Sequence, residues 1–351
     1  FKSLHGAIVT AVKLAIVGMG MIGKRHLQAM TTIKKAALIA VVDPAEQAKA
    51  IALNEGVQWF GKIEEMLADV VPEGVIVCTP TEIHLAPTIS ALEAGCHVLV
   101  EKPIAGNLEE AREIQLVAER VNRNVMVGHH RRYYGLMEEA RKIVSSEKLG
   151  RLLAVHGQWT SRKADDYFIP QWRQQSSSGP VLINLIHEMD ILRFICGEIE
   201  SVTAQLQTNF RDHPKEETAA IIVRFKSGVL GTFLLSDATP SPWNWEHATG
   251  ENVNFPHTGQ NSYCFMGTDA CLEFPNLRIW QSQGKPDWNH LMKMEETPVP
   301  LEDAYIAQCR HFCGVIRGEE MPRITAEDAS KTLAATLAVF DSAKQRQTIL
   351  L

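Results

Sequence analysis

The first third of the chain is punctuated by short, nearly continuous apolar runs. Residues 14–17, 38–42, 74–78, 97–100 and 124–127 lack the alternation of a half-solvated strand, which is the pattern of strands covered on both faces. A shorter strand is expected near 58–60. Helical segments are expected from Asp43 to about Glu55, from near Ile63, from about Ile83 and over 108–122. Strands alternating with helices predict a parallel, doubly wound sheet. Past Gly128 the period falls to two. Segments 152–159, 201–208, 218–225, 228–235 and 263–266 alternate apolar and polar positions and are separated by turn signals such as Lys226-Ser-Gly228. Helices are expected over 303–317 and 326–345, the second opened by Thr325 as N-cap with Glu327 and Asp328 in its first turn.

The first apolar run leads into Gly18-Met-Gly-Met-Ile-Gly23, a G-x-G-x-x-G spacing between a strand and a helix. Gly18 permits the tight turn, Gly20 lets backbone N–H groups approach a pyrophosphate, and Gly23 lets helix and strand pack closely. The helix N-terminus supplies a partial positive charge. The second strand ends at Asp43, placed to accept both ribose hydroxyls of an adenosine. Pro44 follows, with no Arg or Lys immediately beyond to neutralise a 2′-phosphate, so NAD is expected over NADP. Candidate cofactor contacts here are Gly18, Gly20, Met21, Ile22 and Asp43.

At 351 residues the chain suits two domains, read as 13–130 for the nucleotide and 131–345 for a substrate. A formal net charge of -6 with no basic run argues against nucleic-acid or membrane-surface partners. No apolar run is long enough to span a bilayer. Seven cysteines without a C-x-x-C pair read as reduced thiols, which suggests the cytoplasm. Residues 1–12 lack the basic start and long apolar core of a signal peptide.

Loops at the carboxyl ends of parallel strands line the ligand crevice, which places Thr79, Pro80 and His84 near the cofactor. His84 reads equally well as local packing. The strand at 97–100 delivers Glu101, Lys102 and Pro103 to the same edge. In the second half, the apolar helix over 181–196 carries Asn184, His187 and Asp190 three residues apart. Buried without partners these would be costly, so they must meet one another, the first domain or a ligand.

G-M-G-M-I-G, T-P-T-E-I-H, E-K-P and the later G-P-V-L-I-N-L-I-H-E-M-D together resemble the glucose-fructose oxidoreductase and inositol dehydrogenase family. The resemblance runs from about residue 13 to the C-terminal helix. It implies an N-terminal Rossmann domain, a C-terminal α+β domain on a large, mostly antiparallel sheet, and a homo-oligomer (dimer or tetramer) formed through that sheet. It further implies oxidation of a sugar, cyclitol or polyhydroxy acid at a hydroxyl carbon, with His187 as base and Lys102 hydrogen-bonded to the same oxygen and also near the cofactor with Glu101. Arg131 matches the arginine that follows the sixth strand in relatives and is expected to contact substrate. Trp172 and Arg173 are expected to cover substrate and nicotinamide, and Asn184, Trp243 and His247 to line a polyol-binding wall. The segment 241–247 reads equally as a packed loop.

One departure stands out. The family's catalytic aspartate lies four residues before the histidine, where this chain has Ile183 beside Asn184. Two other functions remain open on the sequence: a glycosidase using transient oxidation by bound NAD, and a non-catalytic NAD-binding regulator. A reductase of C=N or C=C bonds is a further variant.

Overall fold

The computed structural model describes residues 10–208 and 210–351, so the expectation for residues 1–9 lies outside it. The chain separates into two compact units. One runs to Tyr133 and includes Asp303–Lys331, and the other comprises Tyr134–Glu302 with Thr332–Leu351.

In the first unit the elements alternate as the apolar runs predict: β1 (Val12–Val17), α1 (Met21–Met30), β2 (Ala36–Val42), α2 (Glu46–Glu55), β3 (Gln58–Phe60), α3 (Ile63–Asp69), β4 (Gly74–Val77), α4 (Leu85–Glu93), β5 (His97–Val100), α5 (Leu108–Val121) and β6 (Val125–Val127). The sheet is wholly parallel, in the order β3-β2-β1-β4-β5-β6. Its central strands are apolar on both faces because both are covered; Leu14, Ile16, Val75 and Ile76 are fully buried. Strand order reverses between β1 and β4, which opens the crevice where doubly wound folds take their ligands. Helix α5 starts where Asn107 accepts a hydrogen bond from the Glu110 amide at 2.9 Å.

The second unit holds α6 (Gly135–Ser145), β7 (Leu152–Thr160), a π-helical turn (Val181–Leu185), α7 (Ile186–Cys196), β8 (Ile199–Gln207), β9 (Thr218–Phe225), β10 (Leu230–Ser236), α8 (Trp245–Thr249), β11 (Tyr263–Gly267), β12 (Ala270–Phe274), β13 (Arg278–Ser282) and β14 (Met292–Glu296). The chain then forms α9 (Ala304–Ile316) in the first unit, followed by α10 (Ala326–Gln345) and β15 (Ile349–Leu350). Thr325 caps α10 as its sequence predicts, accepting from the Asp328 amide at 3.1 Å.

The nine strands run β14-β13-β12-β11-β7-β10-β9-β8-β15, antiparallel except for β7 against β10. Along β9 and β10, Ile221, Val223, Phe225, Phe233 and Leu235 point inward and are buried, while Ile222, Leu230 and Leu234 point outward and are exposed. The parallel pair has a consequence for chemistry. Because β7 and β10 run the same way, with Thr160 opposite Ser236, their following residues leave the sheet at one end side by side.

Candidate active site

At the switch point of the first unit each glycine is required for a different reason. Gly18 has φ of +94°, and a Cβ there would stand 2.8 Å from the Cys78 and Thr79 backbone. A Cβ on Gly23 would lie 2.0 Å from the Gly18 carbonyl oxygen, whereas one on Gly20 would meet nothing within 4 Å. Gly20 therefore faces open space at the start of α1, whose N-terminus has no side-chain cap and no acid in its first turn. Its amide groups and dipole are left for an anion. Met21, beside them, is 79% exposed, and Ile22 is half-buried.

The Asp43 carboxylate closes this loop from β2. One oxygen accepts from the Met19 amide at 2.7 Å and the other from the Ala45 amide at 2.8 Å. Each oxygen keeps a lone pair for a ribose hydroxyl. Across the crevice, the buried Thr79 hydroxyl oxygen lacks a hydrogen-bond partner, beside exposed Pro80. An open amide cradle, a carboxylate with spare acceptors and an orphaned hydroxyl fit a dinucleotide.

His84 supports this edge from behind. Its ring is buried, with Nε2 2.8 Å from the Thr79 carbonyl and Nδ1 2.9 Å from the Pro103 carbonyl. Burial lowers its pKa despite those carbonyls, and a neutral imidazole donates to only one of them. Both ring nitrogens thus face backbone, so the side chain ties the β4 and β5 turns together.

After β5, buried Glu101 accepts from His26 Nε2 at 2.7 Å and from the Lys102 amide at 3.2 Å. Burial alone would raise its pKa, but the His26 hydrogen bond and the charges of His26, His130 and Lys102 outweigh it and hold the carboxyl ionised. A Cβ on Gly128 would stand 2.8 Å from that carboxylate, so the glycine after β6 makes room for it. Lys102 itself is half-buried, and Arg131, 3% exposed, lies on the turn His130–Tyr133 of the same unit.

In the second unit the helix that carries Asn184, His187 and Asp190 is built differently from the uniform α-helix its sequence predicts. Residues 181–185 form a π turn, and Glu216 caps it by accepting from the Val181 amide at 2.8 Å. Asn184 sits in that turn, and its Oδ1 accepts from Lys163 Nζ at 3.0 Å. His187 is half-buried on the first turn of α7. Asp190 is buried and accepts from the Thr332 hydroxyl at 3.1 Å. It is a helix anchor inside its own unit.

Nearby, Arg173 Nη1 donates to the Tyr167 carbonyl at 3.0 Å and its guanidinium lies over both the Tyr167 and Trp172 rings. The segment 241–247 divides in two. Asn244 caps α8, and Trp245 is wholly buried against Tyr134 and Phe274. Trp243 is 44% exposed, and His247 is held by the Pro256 carbonyl at 2.6 Å.

Residues 12–129 match the family described as "Oxidoreductase family, NAD-binding Rossmann fold", and residues 141–351 match its C-terminal alpha/beta domain. The chain belongs to this oxidoreductase family. Among its relatives, a 1,5-anhydro-D-fructose reductase of Ensifer adhaerens is 27% identical over 86% of this chain and 87% of the relative. A scyllo-inositol 2-dehydrogenase (NAD(+)) of Bacillus subtilis is 26% identical over 94% of each. The WlbA dehydrogenase of Bordetella pertussis, solved with NADH and UDP-GlcNAcA, shares the fold with TM-score 0.79 at 20% identity, over 97% of this chain and 99% of that one.

The first unit of this oxidoreductase is thus its NAD-binding Rossmann domain, and the cradle above is where the sequence places the nucleotide. Sequence reasoning missed Lys163, Arg211 and Lys215, which converge on the Asp237 carboxylate, Lys163 also reaching Asn184. With Asp237 they come from three separate loops, so no spacing within the chain connects them.

Proposed function

We propose that this oxidoreductase oxidises a secondary hydroxyl of a sugar, cyclitol or polyhydroxy acid, with His187 as the base and Lys102 as its partner. Bound NAD supplies the chemistry of hydride acceptance at nicotinamide C4. His187 takes the hydroxyl proton as the carbon is oxidised, a role suited to an imidazole near neutral pH. Lys102 donates a hydrogen bond to the same oxygen, stabilising it as negative charge develops. The observation that carries this reading is a half-buried imidazole three residues beyond Asn184, at the start of a helix that is otherwise largely buried. The sugar- and cyclitol-acting relatives support the substrate class.

Arg131, Trp172, Asn184, Trp243 and His247 are proposed as substrate contacts. Gly18, Gly20, Met21, Ile22, Asp43, Thr79, Pro80, Glu101, Lys102 and Arg173 are proposed as cofactor contacts, with His84 acting through the turns it ties. The division into 13–130 for nucleotide and 131–345 for substrate belongs to the same proposal, as does a cytoplasmic setting. Exposed Ile222, Leu230 and Leu234 on the outer sheet face support a homo-oligomer formed there.

The test is NADH absorbance with a panel of sugars, cyclitols and sugar acids. On a good substrate, Lys102→Ala and His187→Ala are each expected to lower kcat by about 10²-fold or more. Near wild-type kcat in either variant would refute the assignment.

A further inference from the structure

The parallel pairing of β7 and β10 brings Lys163 and Asp237 together just beyond the sheet, the Lys163 amide donating to the Asp237 carbonyl at 3.0 Å. The Asp237 carboxylate is wholly buried. It accepts from Arg211 Nη1 at 2.8 Å and Lys215 Nζ at 3.0 Å, and pairs with Lys163 Nζ at 3.4 Å. Glu217 takes Arg211 at 3.3 Å. Arg173 covers the Tyr167 ring that Lys163 also approaches, at 4.2 and 5.2 Å. Glu216, which caps the π turn, has a pKa raised by burial. Among the charged groups joined by these contacts, and with Glu216 ionised, Lys163, Arg173, Arg211 and Lys215 outnumber Asp237, Glu216 and Glu217 by one, and the neighbouring Arg162–Asp165 pair adds no net charge.

An ammonium has donors and no acceptor, so its 3.0 Å contact must be to the oxygen of the Asn184 carboxamide. That fixes the amide: its NH2 group is turned away from Lys163. The side chains offered at this turn are therefore donors, with one unbalanced positive charge behind them. A neutral polyol, whose hydroxyls donate as well as accept, is poorly matched to such a surface. A single carboxylate, all acceptor and carrying one negative charge, matches it; a phosphate dianion would overshoot.

We propose that the substrate is a sugar acid or other polyhydroxy acid whose carboxylate is received by Lys163 Nζ and Asn184 Nδ2, one turn from His187. This rests on the hydride-transfer reading above and narrows it to an anionic substrate. Lys163 is 12% exposed, and burial pulls its ammonium down to about 8 against the opposing pull of Asp237. Arg211 and Lys215 push in the same direction as burial, and the Tyr167 ring lies 5.2 Å from the ammonium. Recognition of the acid should accordingly weaken as pH rises past about 8.

The experiment is calorimetry on the NAD-loaded enzyme with D-gluconate, D-glucuronate and L-tartrate, their neutral counterparts D-glucitol and D-glucose, and D-glucose 6-phosphate. NADH formation is followed in parallel. At least one acid is expected to bind about tenfold or more tighter than its neutral counterpart, a typical worth for a charge-assisted hydrogen bond. Lys163→Met should bring that acid to its counterpart's level, chiefly through KM. Lys163→Arg should retain the preference and extend it to higher pH. Asn184→Ala, which keeps the charge cluster whole, should lose part of it. The proposal is overturned if no acid binds, if neutral compounds or the phosphate ester bind as well, or if Lys163→Met keeps the preference. NADH from neutral polyols alone would sink the proposal and leave hydride transfer standing. Lys163-dependent acid binding with no NADH from any compound would do the reverse.

Discussion

The glycine cradle of the first unit and the charge cluster of the second both offer hydrogen-bond donors to an anion, by opposite means. At 18–23 the donors are backbone amides, and the residues matter for what they lack: a Cβ at Gly23 would overlap the Gly18 carbonyl. At Asn184 the donor is the Lys163 ammonium, and behind it one buried carboxylate gathers Lys163, Arg211 and Lys215 from separate loops. A site made from backbone writes its requirement into a short local spacing. One made from side chains depends on how distant strands are paired.

The contrast breaks most sharply at the cradle. Gly23→Ala is expected to weaken NADH binding by about 100-fold or more, because strand and helix must separate. Gly20→Ala, with nothing within 4 Å, should leave Tm unchanged yet weaken NADH binding about tenfold by intruding on the ligand. Fluorescence titration and thermal melts separate the two, and equal effects would mean that the glycines do not divide their labour.

On the other side, Asp237→Ala leaves Lys163 and Lys215 without their carboxylate and Arg211 with Glu217 alone, and should destabilise the second unit by about 3–5 kcal/mol in urea unfolding. A loss under about 1 kcal/mol would show that water screens the cluster.

The smallest effect sharpens rather than breaks the comparison. Lys163 holds its proton less tightly folded, at about 8, than at the ordinary 10.5. Between those values the unfolded chain carries more of that proton, so stability rises with pH across the window, by up to about 3 kcal/mol, and is unaffected below it. Wild type should gain on Lys163→Met by that order between pH 8 and 10; a flat difference would contradict the lowered pKa.

What the sequence disclosed follows the same division. β3, β5 and β9, and the cap of α10, lie where the apolar runs, the alternation and Thr325 put them, because each is set by neighbours in the chain. Strands β12 to β14 and the short α8 escaped notice, their patterns being brief or, in β14, exposed throughout. The helix that carries Asn184, His187 and Asp190 was legible as a helix, yet its π turn was not, since nothing in 181–185 distinguishes a wide turn from an ordinary one. Lys163 and Asp237 lie 74 residues apart and become neighbours only because β10 pairs in parallel with β7.

That wide turn makes chain length itself a determinant of recognition. A π turn closes its hydrogen bonds one residue later than an α turn, so it stores a single surplus residue between Gly179 and α7. Removing one residue from 181–185 would take out that surplus and let the segment close as regular helix, re-aiming side chains within the turn by up to about 100° while the chain on either side keeps its place. The carboxamide would then leave the ammonium that orients it, while His187 stayed in place. Specificity in this enzyme can thus be retuned by a deletion that touches no reacting group.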